Sequence, residues 1–255
     1  MIQDPDVNFI VYDSVDDVVR ALAEDLLEYS LADQLINISL SGGSTPKKLF
    51  DYLANSEFAQ TINWCNLHFW WGDERCVEQT DDESNFGAAY NLLFQHIDIP
   101  GANLHRIQGE QTPQTESDRL SLDMESTLAK NPETGLPQFN WVILGVGEDG
   151  HTASLFPGQT DYDIQLSSVV TKHPENGQFR ISITAPVICS ALRVTYLVLG
   201  AGKAKIVSDI VNKAKHCQIY PAANIHAKYG ITEWFLDPKA ASTSPALFSQ
   251  TRGRK

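Results

Sequence analysis

The chain has 255 residues, 42% of them hydrophobic, and a formal charge of −13. That length buries a substantial core in one domain, and the acidic balance repels nucleic acid and anionic membranes at long range, so any basic site must be local. The apolar runs are short and no charged-then-apolar leader precedes Asp4, which excludes a membrane span and sets the expectation of a cytoplasmic protein. Four cysteines, Cys65, Cys76, Cys189 and Cys217, lack C-x-x-C spacing and read as reduced core thiols, not as zinc ligands or a disulfide framework.

In chain order, Phe9-Ile-Val-Tyr12 predicts a strand, and Val15, Val18, Val19, Leu22, Leu26 and Leu27 recur at helical spacing behind the cap candidate Ser14. A strand over Leu35–Leu40 runs into Ser41-Gly-Gly-Ser-Thr-Pro46, and Leu49, Phe50 and Leu53 mark the next helix. Leu67–Trp71 predicts a further strand, followed by an acidic loop from Gly72 to Asp82 and a helix through Ala88, Leu92 and Leu93. Residues 113 to 130 read as a polar amphipathic helix, Trp141–Leu144 as a buried strand, and Arg180–Thr184 and Val194–Leu199 as two more. Gly200-Ala-Gly-Lys203 then opens the last clear helix. Strands alternating with helices predict an α/β fold, an open, mostly parallel Rossmann-like sheet with helices on both faces. Residues 1–241 are expected to form a single domain, and the Ser/Thr-rich tail 242–255, ending Arg252-Gly-Arg-Lys255, a frayed, solvated end.

Three glycines, Gly145, Gly147 and Gly150, fall on G-x-G-x-x-G spacing after the Trp141–Leu144 strand. A dinucleotide fingerprint continues into a long helix and finds an acidic residue about 20 positions on. Here Pro157 and Gly158 break any helix early and the corresponding region reads Val169-Val-Thr-Lys172, which argues against a nicotinamide cofactor. The same turn instead presents His151, with Asp149 two residues away to hold one ring nitrogen while the other meets substrate. Asp73-Glu74, at the end of the neighbouring strand, offers a second carboxylate. The other six histidines are assigned to structure or surface.

Ser41–Pro46 has what a phosphate needs: glycines that admit the backbone closely, hydroxyls that donate, and a helix whose first position suits Pro46, with Thr45 or Ser44 as its cap. Arg75, Arg180 and Lys203, each at a loop end, supply cations, the arginines as forked donors and the lysine as a point charge. Taken singly, Arg75 reads better as a salt-bridge partner of Asp73, Glu74 or Asp81, and Lys203 as a solvated surface residue. Their joint placement makes the anion site.

Together and in this order, Ser41-Gly-Gly-Ser-Thr-Pro46, Trp71-Gly-Asp-Glu-Arg75 with Ser84-Asn85, Gly145–Gly158 and Gly200-Ala-Gly-Lys-Ala204 resemble the 6-phosphogluconolactonase family, within the group that includes glucosamine-6-phosphate deaminases. The resemblance runs from about Leu35 to Asp237 and implies a NagB/RpiA/CoA-transferase-like fold. It implies a hydrolase that opens 6-phospho-D-glucono-1,5-lactone to 6-phospho-D-gluconate in the oxidative pentose phosphate pathway, without metal or organic cofactor. On that resemblance His151 is the general base and Asp149 orients it; Asp73, by its placement at the neighbouring strand end, is a further catalytic candidate. Backbone donors near Gly42 and Gly43 face the oxyanion. Gly43, Ser44, Thr45, Arg180 and Lys203 correspond to phosphate-binding positions, with Arg75 in the same pocket. The partner is a small sugar-phosphate lactone, with no nucleic acid or membrane, and the chain is expected as a monomer or homodimer. Two departures stand out: Cys76-Val-Glu78 in place of a valine-proline pair, and His173-Pro-Glu-Asn-Gly-Gln-Phe179 in place of a shorter, proline-rich lead into the Arg180 strand.

Two other readings share the cradle. A glucosamine-6-phosphate deaminase would resemble Gly-His-Ile-Ala-Phe-Asn-Glu-Pro-Gly after the aspartate, whereas here Phe156 occupies the place of that glutamate. A non-catalytic sugar-phosphate-binding regulator would need the cradle but no base, so the pairing of Asp149 with His151 weighs against it.

Overall fold

The computed structural model describes residues 7–248. Its strands are β1 (Val7–Val11), β2 (Ile36–Leu40), β3 (Leu67–Trp71), β4 (Asp73–Arg75), β5 (Leu104–His105), β6 (Trp141–Leu144), β7 (Ser168–Lys172), β8 (Phe179–Ile183), β9 (Arg193–Val198) and β10 (Ile231–Leu236). Its helices are α1 (Val15–Ser30), α2 (Ser44–Asn55), α3 (Phe58–Thr61), α4 (Asn85–Leu92), α5 (Pro113–Thr127), α6 (Ala185–Cys189), α7 (Ala204–Val211), α8 (Pro221–Asn224) and α9 (Pro245–Phe248). Seven strands pair in parallel in the order β1-β10-β9-β6-β2-β3-β5. The central strands are buried along nearly their whole length, which is why they read as continuous apolar runs and not as alternation.

Helix α1 shows how the pattern becomes packing. Ser14 caps it by accepting from the Asp17 amide, Asp16 and Asp17 sit in its first turn, and Val18, Val19, Leu22 and Leu26 form the buried stripe. Along the sheet, β2 leads through β3 to β5 on one side while β6 leads through β9 to β10 on the other. The chain therefore diverges between β2 and β6. In an open α/β sheet the crevice beyond the carboxyl ends of such a strand pair is where ligands bind.

The structure corrects the sequence reading at five places. The predicted acidic loop contains β4, and the strand carrying Arg180 does not join the large sheet: β4, β8 and β7 form a separate antiparallel sheet of three. Strands β5, β7 and β10 were not anticipated. Neither Ser44 nor Thr45 caps α2, because the helix begins at Ser44 and its N-cap is Gly43, at φ 102° with no side-chain cap bond. Residues 242–248 are not frayed: Leu247 is buried and the Thr243 hydroxyl donates to the Ala204 carbonyl, while residues 249–255, with Arg252–Lys255, lie outside the described residues, as do residues 1–6. All four cysteines are free, but Cys65 is exposed and only Cys189 and Cys217 are buried; burial pushes the half-buried Cys76 thiol up to about 11. Among the described residues no helix is long and apolar enough to cross a membrane.

Candidate active site

A cleft of about 220 Å³ opens at the divergence of β2 and β6. It is lined by the Ser41–Pro46 loop after β2, by Asp73 and Arg75 on β4, by Gly145–Gly147, His151 and Ala153 after β6, by Arg180 on β8, and by Lys203 after β9. Every site residue expected from the sequence lies on its wall except Asp149, which stands behind His151. The Ser41 hydroxyl spans the divergence by accepting from the Gly145 amide at 3.3 Å, which ties the two glycine loops together.

The imidazole of His151 is held by its own turn. Asp149 Oδ1 lies 2.6 Å from His151 Nδ1 and accepts from the His151 amide at 3.1 Å. In the neutral imidazole a carboxylate acceptor at Nδ1 favours the tautomer with its proton there and its lone pair on Nε2. Partial burial by itself would push the Asp149 carboxyl up. The hydrogen bond and charge of His151, with the turn's amides, outweigh it and hold Asp149 below the usual carboxylate range. The turn is closed by the Gly147 amide on the His151 carbonyl at 2.8 Å and by the Thr152 hydroxyl on the Gly145 carbonyl at 2.8 Å. A Cβ at residue 147 would lie 2.1 Å from His151 Nδ1, so glycine is required there for the Asp149 contact to form. Ala153, on the wall two residues further, has φ 48°, a conformation costly for a residue with a Cβ and common at sites the surrounding fold over-determines.

Across the cleft from His151 lies the Ser41–Pro46 loop, the expected anion cradle. With Gly43 as the N-cap, the free amides of the first turn of α2 point to the cleft, and the Ser44 and Thr45 hydroxyls are not used as caps. Arg180 is 8% exposed, and its guanidinium is pushed down from its ordinary value by burial and then by the charge of Arg75. Arg75 donates to the Glu83 carbonyl at 2.6 Å, so the expected pairing with Asp73, Glu74 or Asp81 is not what holds it. Burying cations with this little compensation is costly unless an anion arrives.

Asp73 and Glu74 part company. Asp73 faces the cleft, with its carboxylate accepting from the Ser154 hydroxyl at 2.6 Å. Glu74 points away and clamps the start of α4, accepting from the amides of Arg75, Asn85 and Phe86 at 2.8 Å each and from the Ser84 hydroxyl at 3.1 Å. Burial raises its carboxyl. Sequence reasoning gave neither Asn85 nor Ser154 a role in the site, and took Ser41 as part of the cradle without its bond to Gly145. Asn85 lines the cleft and donates to the Asp73 carbonyl at 2.9 Å, and a Cβ on Gly42 would fall 1.8 Å from its Oδ1. The Ser84-Asn85 pair after the acidic turn was the available signal. Phe156 is buried, with its ring centroid 5.1 Å from that of His151, so an apolar ring stands there. Among the described residues no group of three or more His, Cys, Asp or Glu side chains is arranged to hold a metal ion.

Residues 12–234 match the family described as glucosamine-6-phosphate isomerases/6-phosphogluconolactonase. The chain is 48% identical over 235 residues to a 6-phosphogluconolactonase of Aggregatibacter actinomycetemcomitans, covering 92% of this chain and 99% of that protein. A crystal structure of the devB protein superposes with a TM-score of 0.91 at 52% identity, over 93% of this chain and 99% of that one. A monomeric glucosamine-6-phosphate deaminase superposes with a TM-score of 0.77 over 92% of this chain and 99% of its own, at 18% identity, a likeness of fold alone.

Proposed function

The chain belongs to the glucosamine-6-phosphate isomerase/6-phosphogluconolactonase family, and from that premise we propose that it hydrolyses 6-phospho-D-glucono-1,5-lactone to 6-phospho-D-gluconate. The observation that carries the mechanism is the 2.6 Å contact of Asp149 with His151 Nδ1 in the cleft that also holds the phosphate cradle.

A δ-lactone is a reactive ester and needs no covalent nucleophile. Nε2 of His151 takes a proton from water as the water oxygen bonds to C1, and the carbonyl oxygen becomes an oxyanion that accepts from the Gly42 and Gly43 amides. When the bond from C1 to the ring oxygen breaks, the imidazolium returns its proton to that oxygen, and the new carboxylic acid ionises. Asp149 keeps the proton on Nδ1 throughout and stabilises the transient imidazolium. Arg75, Arg180, Lys203 and the Ser44 and Thr45 hydroxyls hold the phosphate, whose binding energy orients C1 toward the water. Asp73, with Ser154 and Asn85 on it, lies on the same wall and fixes the geometry around the reacting end. Every residue invoked comes from one chain. Phe156 supplies no carboxylate beside His151, which counts against ammonia release from glucosamine 6-phosphate.

The test is hydrolysis of freshly generated phosphorylated lactone, corrected for spontaneous opening, with unphosphorylated gluconolactone in parallel. A large excess rate on the phosphorylated lactone, with unphosphorylated gluconolactone a poor substrate, is expected, and His151→Ala is expected to lower kcat by about 10²- to 10⁴-fold with KM little changed. No excess over background would remove the lactonase and turn attention to ammonia release; a fully active His151→Ala would remove the base.

A further inference from the structure

Arg75 and Arg180 are direct cross-strand partners in the antiparallel pairing of β4 with β8, and both line the cleft. Like charges placed opposite each other in a sheet repel. The Nε of each is buried without a hydrogen-bond partner. Something must keep the two head groups from swinging apart into water, and a chain of three hydrogen bonds does so. Arg75 Nη1 donates to the Glu83 carbonyl at 2.6 Å, Gln178 Nε2 donates to the Glu83 carboxylate at 2.9 Å, and Arg180 Nη2 donates to Gln178 Oε1 at 3.3 Å. The loop between β4 and α4 is thereby tied to the turn between β7 and β8. Gln178 is itself pre-placed, its amide bonded to Asn176 Oδ1 at 3.0 Å and its carbonyl accepting from the His173 amide at 2.9 Å.

The chemistry of the tie matters as much as its geometry. Both guanidinium groups are anchored on neutral carbonyl oxygens, and the carboxylates around them are bonded elsewhere: Glu83 accepts from the Gln178 amide, Asp73 from the Ser154 hydroxyl, and Glu74 from the backbone at the start of α4. A carboxylate placed on either arginine would satisfy the cation in advance and compete with an incoming anion. A carboxamide holds the arginine and leaves its charge free.

We propose that Gln178 is the positioning residue of the phosphate end of the cleft, holding Arg180 against Arg75 through a neutral carboxamide and not through an ion pair, and that it sets the preference for phosphorylated over unphosphorylated lactone. The substrate half of this statement rests on the lactonase reading; the anion half does not. Gln178→Glu retains the length but puts a carboxylate beside Arg180 and opposite Glu83, and Gln178→Ala removes the tie.

Relative to the parent protein, KM for the phosphorylated lactone is expected to rise about tenfold in Gln178→Glu and a few fold in Gln178→Ala, with kcat within about twofold. The kcat/KM for unphosphorylated gluconolactone should not move. Glu83→Ala, which removes the far end of the tether, should shift KM in the same direction by less. Inorganic phosphate binding, titrated by calorimetry without turnover, should weaken by the same factors. Equal phosphate affinity in parent and Gln178→Glu, no phosphate binding by either, or equal proportional losses on both lactones would each overturn the proposal. A parent protein that binds phosphate more tightly than Gln178→Glu yet hydrolyses no lactone would sink the lactonase reading and keep the tie; hydrolysis with unaltered phosphate affinity would do the reverse.

Discussion

Arg193 and Arg180 are buried almost equally, 5% and 8% exposed, and the protein treats them in opposite ways. Arg193, at the amino end of β9, has Asp25 at 2.5 Å and Glu233 at 2.7 Å, and its guanidinium lies 4.4 Å from the Trp141 ring centroid. Burial alone would lower its affinity for its proton, but the two carboxylates outweigh it and the guanidinium is raised above its ordinary value. Arg180, at the cleft, has one carboxamide, an unpartnered Nε and another arginine beside it, and is lowered. The first is a closed electrostatic unit inside the fold. The second is an open one, which a bound anion would complete.

The largest effect that tests the contrast is on stability. Arg193→Ala leaves two carboxylates buried without their cation and is expected to cost about 3–5 kcal/mol in urea unfolding at neutral pH; an unfolding midpoint like the parent's would break the comparison. Arg180→Ala should behave in the opposite sense, with stability unchanged or raised and KM for the phosphorylated lactone raised about ten- to a hundredfold, and Arg180→Lys should recover part of the loss because it restores charge without the fork. Loss of stability with an unaltered KM would show Arg180 to be structural. Inorganic phosphate should raise the melting temperature of the parent, the equivalent of about 2.7 kcal/mol at a hundred times Kd, and raise that of Arg180→Ala much less at the same concentration. Equal shifts would place the bound phosphate elsewhere.

The smallest effect separates the cleft from the sheet edge by pH. Burial lowers the imidazoles of His68 and His105, which contact each other at 3.0 Å on β3 and β5, His105 stacking on Trp70 at 3.8 Å. A base whose pKa falls on folding binds its proton in the unfolded chain first. Stability is therefore flat above about pH 6.5 and declines as pH drops from there toward the lowered folded values. Replacing His68 and His105 by glutamine should flatten that decline between pH 7 and 5 and leave KM near neutrality alone; an unchanged slope would assign the acid loss to other groups.

Much of the site was legible because glycine, proline and hydroxyl residues act locally. The His151 turn, its Asp149 contact and the cradle at Ser41–Pro46 are set by residues within a few positions of one another. The capping of α2 was misread because Gly43 at φ 102° starts the helix one residue earlier than a serine or threonine cap would. Strand β10 escaped although Ile231-Thr-Glu-Trp-Phe-Leu236 is mostly apolar, since a short apolar run has no period that separates strand from helix. Asn85, the first residue of α4 after the Ser84 cap, belongs to the motif shared with the family, but nothing in its neighbours says which residue it meets. Its approach to Asp73 depends on Glu74 clamping that helix to β4.

Local chemistry in the sequence thus determined most of the strands, the glycine turns, the contact of Asp149 with His151, and the residue types that line the cleft, because each depends on neighbours in the chain. Only the tertiary structure decided that β8 leaves the parallel sheet to pair with β4, and that Arg180 consequently stands opposite Arg75 with Gln178 and Glu83 between loops 95 residues apart. Strand pairing is a long-range choice made by burial and backbone hydrogen bonding across the whole domain, and a strand's own residues do not encode which partner it takes or in which direction.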